Sequence, residues 1–375
     1  MLLLDNNDVA QVLDMQSCIQ LLEEAVRAGE AGDTVARPAT SVVMPKKQAS
    51  GFPGAYKLET RDGISRPKKM AALRIMSDNL LFEKSHGSLR RRKIPAAPGK
   101  RYVGLILLFD TDTSELAAII PDAEIQRRRV AATGALVSKY VARADAHSLV
   151  IIGSGWQAES AVLAHCLVRD ISRIRVFSPN RDHREAFCAK MRDRIACPIE
   201  PVTAAADALR GSDQVVAVTD AVGSVIDGNL LESGTHITLV RPFELDEAGY
   251  RRCNLIIESG RPQNGDPSYW SKQIHANRFY MGDQDKEEGG NLAFGEWVTK
   301  GGYFPQSQAR RVPLPDIVLG QRSGRERDDE ISCFFISTPS GPHLAYLGAL
   351  VVEEARRSGF GRELPSEWFS EKEKD

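Results

Sequence analysis

The run Ile151-Ile152-Gly153-Ser154-Gly155-Trp156-Gln157-Ala158 constrains this chain more than any other. It closes an apolar strand, Ser148–Ile152, and opens a helix, Ala158–Val168. Gly153 permits the tight turn, Gly155 lets the backbone approach a pyrophosphate, and Ala158 allows close helix–strand packing. The helix start offers free N–H groups and a positive partial charge. This strand–turn–helix implies a dinucleotide site with Gly153, Ser154, Gly155, Trp156 and Gln157 as its cradle. Further strands are expected at Arg173–Ser178, Gln214–Thr219, His236–Val240 and Asn254–Ser259, with a helix at His183–Arg194. Such alternation marks a doubly wound parallel sheet. Thr219, ending one of its strands, is a further cofactor candidate.

The tip of the second strand bears on which nicotinamide cofactor is held. An acidic residue there, about 20 residues after the glycines, holds the ribose hydroxyls of NAD. Here the tip reads Ser178-Pro179-Asn180-Arg181. Nothing in it repels a 2′-phosphate, Ser178 and Asn180 can donate hydrogen bonds, and Arg181 can pair with the phosphate. NADP(H) is therefore favoured over NAD(H).

Upstream, the pattern differs. Ser17 is expected to cap a helix over Cys18–Ala28. Short β-like runs follow at Ala55–Thr60, Met70–Met76, Val103–Phe109 and Glu115–Ile120, separated by turn residues. Strand after strand suggests an antiparallel or mixed sheet. A long helix is expected over Pro121–Arg143. At 375 residues two domains are the default. The expected division is 1–125, completed by 336–375, for substrate and dimerisation, and 126–335 for the dinucleotide. Asp283–Arg310 reads as loops with one short helix, Ile331–Ile336 as a last strand, and Leu344–Gly359 as a helix.

Composition narrows the function. With 42% hydrophobic and 26% charged residues and a net charge of −1, the chain is an ordinary globular one, and a general nucleic-acid binder is not expected. No apolar run is long enough to span a bilayer, and the N-terminus lacks the features of a signal peptide. The six cysteines form no CxxC pair and read as reduced thiols in a cytoplasmic protein. The seven histidines show no metal-ligand spacing, and His236 reads as a core residue. No metal is expected.

Two arginines and one aspartate are candidates for the substrate. Arg74 interrupts the apolar strand Ala71–Met76, where burial is costly without a partner. It faces either water or a cleft, as a carboxylate receptor. Arg129 follows Arg127 and Arg128 on the long helix, and helical spacing keeps the three off one face. The small residues after it suit an inward-facing arginine. Asp78 is a candidate amine ligand or proton acceptor, or else a turn residue in Ser77-Asp78-Asn79. The basic segment Lys84–Arg101 reads as a solvated loop or as a lid that steers anions.

Taken together, these residues resemble the ornithine cyclodeaminase/mu-crystallin family over nearly the whole chain. The matching stretches are Met15–Ala31, Arg74 in its strand, Asp110–Ala118, Arg129-Val130-Ala131-Ala132, Gly153–Ala158 and Ser233–Ile237. The resemblance implies a homodimer with a Rossmann domain and a substrate domain. It also implies hydride transfer between a nicotinamide and the α-carbon of an amino or imino acid. By the resemblance, the family's catalytic lysine falls at Arg74. Its catalytic aspartate belongs to the loop Val240–Leu245, which is short here and has no aspartate before Glu244. A family arginine after the first helix falls near Ala39 or is served by Arg37.

The expected function is an NADP(H)-dependent oxidoreductase of a C–N bond in a small carboxylate-bearing substrate, an imine reductase or amino-acid dehydrogenase. Arg74 and Asp78 would be catalytic, and Arg74 and Arg129 would bind the substrate. The alternatives are a cyclodeaminase-type lyase that recycles NAD within one turnover, and a non-catalytic NADP(H) or small-ligand binder.

Overall fold

Side chains of a strand alternate between faces. Along Met70–Ser85 the alternation is regular: Met70, Ala72, Arg74, Met76, Asp78, Leu80 and Phe82 are buried, and the residues between them are partly exposed. This strand pairs antiparallel with Gly54–Ser65 through a short turn at 66–69. The two form the spine of a ten-stranded mixed sheet in the computed structural model, which describes residues 1–37, 39–46, 54–85, 88–260, 278–281, 307–336 and 340–372. The hairpin is longer than the short runs read from sequence. Asp78 lies inside a strand and not in a turn. The segment Lys84–Arg101 is not simply a loop, because Ser88–Ile94 pairs antiparallel with Met70–Ser85.

The first sheet runs in the order Arg278–Met281, Thr40–Lys46, Gly54–Ser65, Met70–Ser85, Val103–Asp110, Leu116–Pro121, Leu2–Leu3, Arg362–Glu363. Arg278–Met281 falls within 126–335 yet pairs with Thr40–Lys46, so the chain returns to the first sheet there. Met15–Glu30 forms the first long helix. Asp14 caps it, not Ser17, by accepting from the Ser17 backbone N–H at 2.8 Å. Most of Asp283–Arg310 lies outside the described residues.

The second sheet is wholly parallel, in the order Ile199–Val202, Arg173–Phe177, Ser148–Ile152, Gln214–Ala217, His236–Leu239, Ser332–Phe335, Leu255–Glu258, Arg310–Pro313. The fold is α/β: a doubly wound parallel sheet joined to a mixed-sheet unit. Ile199–Val202 and Arg310–Pro313 were not legible as strands. The order reverses between Ser148–Ile152 and Gln214–Ala217, the crevice where such sheets bind ligands. Helix Asp122–Val141 lies between the sheets, and its buried residues join a core that includes Leu22, Leu108 and Phe334. The last long helix, Gly341–Ser358, packs on the hairpin of the first sheet. Among the described residues no helix is long and apolar enough to cross a membrane.

Candidate functional site

At the reversal point the glycine turn has the geometry a nucleotide needs. Gly153 has φ +114°, and a Cβ there would lie 2.7 Å from the Val218 carbonyl oxygen. Gly155 caps helix Trp156–Val168 with no atom within 4 Å of where its Cβ would be, which leaves room for a phosphate beside the free N–H groups. The residues present therefore fit a dinucleotide. Ser154 lies in this turn. Trp156 is half exposed and its ring stacks on Arg127 at 4.9 Å. The Gln157 side chain turns away to donate to the Arg127 carbonyl at 2.8 Å, so only its backbone stays with the cradle. Thr219 is also engaged: its N–H and hydroxyl both donate to Glu244 Oε1, at 3.0 and 2.8 Å.

At the second strand tip, Asn180 caps helix Arg181–Arg192 by accepting from the His183 N–H. Ser178 is buried, and its carbonyl accepts from Arg184. Arg181 is exposed and paired with Glu185 at 2.7 Å, within reach of a ligand on the tip.

The opposite wall is the inner face of the hairpin, and it is lined with charge. Lys57 is only 5% exposed and donates to Glu59 Oε2 at 2.7 Å. Glu59 also accepts from Arg61 at 2.9 Å and from the Ser41 hydroxyl. Burial depresses the Lys57 ammonium, with Arg91 adding to the effect and Glu59 opposing it. Burial would raise Glu59, but the Lys57 and Arg61 charges prevail and hold it well below the usual carboxylate range. Asp78 stands opposite Lys57 in the strand register. It is buried and paired with Lys93 at 2.9 Å, while its Oδ2 has no hydrogen-bond partner among the described residues.

The two candidate arginines separate. Arg74 is buried, but its Nε and Nη2 both donate to Asp122 Oδ2, at 2.8 and 2.6 Å. Gly104 makes room for that carboxylate, since a Cβ there would meet Asp122 at 2.3 Å. Arg74 is thus neutralised by the protein and is a poor receptor for a substrate carboxylate. Arg129 is 4% exposed, and its side chain donates to Gln126 at 3.0 Å, its only side-chain hydrogen bond among the described residues. Its Nε has no partner among the described residues. Burial, then the like charges of Arg61 and Arg74, lower its pKa strongly. A buried guanidinium without a carboxylate awaits an anion. Buried beside it, His343 is pushed down to about 3 by burial and Arg129. Arg37 pairs at the surface with Asp62.

Neither Glu244 of the shortened loop nor Asp246 just after it is free. Glu244 is fully buried and accepts from Thr219, from Val240 N–H at 2.9 Å and from Arg241 N–H at 2.9 Å. Asp246 caps helix Glu247–Arg252 and accepts from Gly228 N–H. His236 is a buried core residue that pairs with the Ser332 hydroxyl at 2.9 Å. No group of three or more potential metal ligands occurs among the described residues.

Lys57 is the residue that sequence reasoning missed. Its only signal is its parity with Ala55 and Gly63, which share the buried face of the strand.

Comparison with known proteins agrees with this architecture. The family model described as the ornithine cyclodeaminase/mu-crystallin family matches residues 83–248. A Delta(1)-pyrroline-2-carboxylate reductase of Bacillus cereus is 25% identical over 242 residues, which span 63% of this chain and 66% of that protein. The structure of Thermococcus litoralis Delta(1)-pyrroline-2-carboxylate reductase, in complex with NADH and L-proline, superposes with a TM-score of 0.71 at 23% identity. It covers 97% of this chain and all of that one, 100%. An archaeal alanine dehydrogenase dimer with bound NAD gives 0.70 at 19% identity, covering 97% of this chain and 99% of that one. At these identities the solved structures speak for the fold. Over residues 83–248 this chain is similar to the ornithine cyclodeaminase/mu-crystallin family.

Proposed function

We propose that the protein is a nicotinamide-dependent reductase of the C=N bond of an imino acid, able in reverse to oxidise the amino acid. The carrying observation is a buried lysine, Lys57, opposite a half-satisfied carboxylate, Asp78, on a sheet tied through Arg74–Asp122 to the helix of Arg129, an arginine with no carboxylate partner among the described residues. The reductase name of the Bacillus relative supports this reading. The dinucleotide, held at Gly153–Gln157 with Ser178, Asn180 and Arg181 at its ribose end, supplies a hydride when bound. Arg129 binds the substrate carboxylate through charge-assisted hydrogen bonds. Asp78 Oδ2 accepts from the iminium N–H. Lys57 takes the acid–base role that the resemblance had put at Arg74, because burial lowers a lysine's hold on its proton, whereas an arginine keeps its own. Arg74 instead holds Asp122 at the start of the long helix.

This assignment changes the case against the lyase. The lysine is present, but the loop Val240–Leu245 offers no free carboxylate, since Glu244 is tied four ways. The intact Lys57–Asp78 pair also disfavours a non-catalytic binder. Residues 1–125 with 336–375 would hold the substrate and 126–335 the cofactor, and the bare strand tip favours NADP(H). A homodimer built through the first sheet is supported by its outer face, where Val42, Met44, Leu58 and Ile64 are exposed together. Six free cysteines fit a reducing cytoplasm.

Incubation with a cyclic imino acid should consume NADPH stoichiometrically, whereas ornithine with catalytic cofactor should release no ammonia. Conversion of ornithine to proline without net cofactor change would install the lyase reading, and no oxidation with any imine would remove the reductase one. Sedimentation should give a dimer at micromolar concentration.

A further inference from the structure

Arg129 is one of two guanidiniums in the cleft with no carboxylate at ion-pair distance among the described residues. The other is Arg241. Its Nη1 donates to the Ala221 carbonyl at 3.2 Å, and its guanidinium lies 5.9 Å from the Phe243 ring. Those contacts use a small part of its five donors. Its backbone is fixed, because the Arg241 N–H donates to the buried Glu244. The side chain meets the seam where the two sheets join, at which Arg91 N–H donates to the Asp220 carbonyl and Arg90 pairs with Asp220. Burial and the charge of Arg241 bring Arg91 down to about 9, with Glu59, Asp78 and Asp220 opposing, so it stays cationic at neutral pH.

The charged side chains form a sequence across the cleft. Arg129 shares its helix with Asp122, the partner of Arg74; Arg74 stands opposite Arg61 in the strand register, and Arg61 shares Glu59 with Lys57. Lys57 lies opposite Asp78, and Arg90–Arg91, bridged to Asp220–Ala221, adjoin Arg241, whose Nη1 donates to the Ala221 carbonyl. An arginine without a carboxylate therefore stands at either end, with the Lys57–Asp78 pair between. We propose that the substrate is a dianionic imino acid: Arg129 holds the carboxylate beside the reacting carbon, and Arg241, next to Arg91, holds a second anionic group, most simply a side-chain carboxylate. This rests on the reductase reading. A cofactor phosphate is a less suitable anion for Arg241. The pyrophosphate belongs at Gly155, and Arg241 follows a strand two places along the sheet, roughly 10 Å away at ~4.8 Å per strand.

The test pairs two substrates of equal chain length, 2-oxoglutarate and 2-oxopentanoate, each with ammonia to form the imine in situ. The wild-type kcat/KM should favour the dianion at least tenfold, mainly through KM. R241Q should bring the ratio to within about twofold of one, and R241K should keep part of the preference. Thermal melting checks that both variants fold. A wild-type ratio near one, a preference retained in R241Q, or an R241Q defect confined to NADPH or NADH affinity would each overturn the proposal. In parallel, the cofactor-loaded protein is titrated with the two oxo acids without ammonia. Tenfold tighter binding of 2-oxoglutarate, erased by R241Q, would uphold the two-anion cleft even if no imine were reduced, and then the reductase reading alone would fall. Reduction of monoanionic imines with no dianion preference would leave that reading standing and remove this one.

Discussion

The central strands of the parallel sheet and the hairpin of the mixed sheet are buried to similar depth but by different means. Leu149–Ile152 and Val215–Ala217 bury nothing but hydrocarbon side chains. Gly54–Ser65 and Met70–Ser85 bury Lys57, Glu59, Arg74 and Asp78. In the first case burial itself stabilises, at about 25 cal/mol per Å² of apolar area. In the second, desolvation opposes folding and is offset only where charges interlock, as in Lys57–Glu59–Arg61 and Arg74–Asp122. Where interlocking stops, at Arg129 Nε and Asp78 Oδ2, bonding capacity is left unmet among the described residues. The contrast separates a region stabilised by apolar burial from one that keeps charge in its interior.

The strongest test of that contrast is Lys57. Lys57→Met should lower kcat by ~10²–10⁴-fold, the usual worth of a general acid–base group. NADPH affinity, read by fluorescence titration, should stay within about twofold. Lys57→Arg should not restore turnover, because arginine holds its proton. Full activity in either variant would show that the hairpin charge is merely structural.

Acid should destabilise both regions through their buried histidines. His165, beside Gln214 under the parallel sheet, is held down to about 4, and His343 near Arg129 to about 3, in each case first by burial. Each has a folded pKa below its unfolded value of about 6.5, so the unfolded chain takes up protons first. Their contribution is fully present above pH 6.5 and is lost as the pH falls from there toward 4. Each histidine costs up to about tenfold in the folding equilibrium per pH unit. Urea denaturation at pH 7, 6 and 5 should show the slope, and His165→Gln or His343→Asn should flatten it. An unchanged slope in both variants would assign the effect elsewhere.

Arg129 sets function against stability directly. Arg129→Ala should raise KM about ten- to a hundredfold, by loss of a charge-assisted contact of roughly 1.5–3 kcal/mol. Arg129→Met, which fills the same space without a charge, should leave the melting temperature of the ligand-free protein unchanged or raised. A clear drop in melting temperature would mean that Arg129 is held for the fold.

The smallest effect belongs to the nucleotide side. Arg181 is exposed and already paired with Glu185, so Arg181→Ala should weaken NADPH binding only by about three- to tenfold. NADH binding should hardly move. Tighter binding of NADH than NADPH by the unmodified protein would reverse the cofactor preference.

Local residue chemistry determined the nucleotide half. The positive φ at Gly153, the bare helix start at Gly155 and the apolar strand before them depend on neighbours in the chain, so they could be read in order. The family resemblance and the inward-facing Arg129 came from the same kind of local pattern. Tertiary structure alone decided the mixed-sheet half, and the reason is the two-faced hairpin. In Gly54–Ser65 the apolar Tyr56 and Leu58 alternate with Lys57 and Glu59, which on sequence puts the charges toward water. The fold does the reverse: Leu58 is 36% exposed on an outer face and Lys57 is 5% exposed on the inner one. Met70–Ser85 carries apolar residues on both faces, so its pattern could not say that Arg74 meets Asp122, 48 residues away, or that Asp78 faces Lys57 across the ladder. A strand's alternation gives two faces but not their assignment. The packing of helix Gly341–Ser358 on the hairpin and the tie from Arg74 to Asp122 at the start of the long helix decided which charges lie inside.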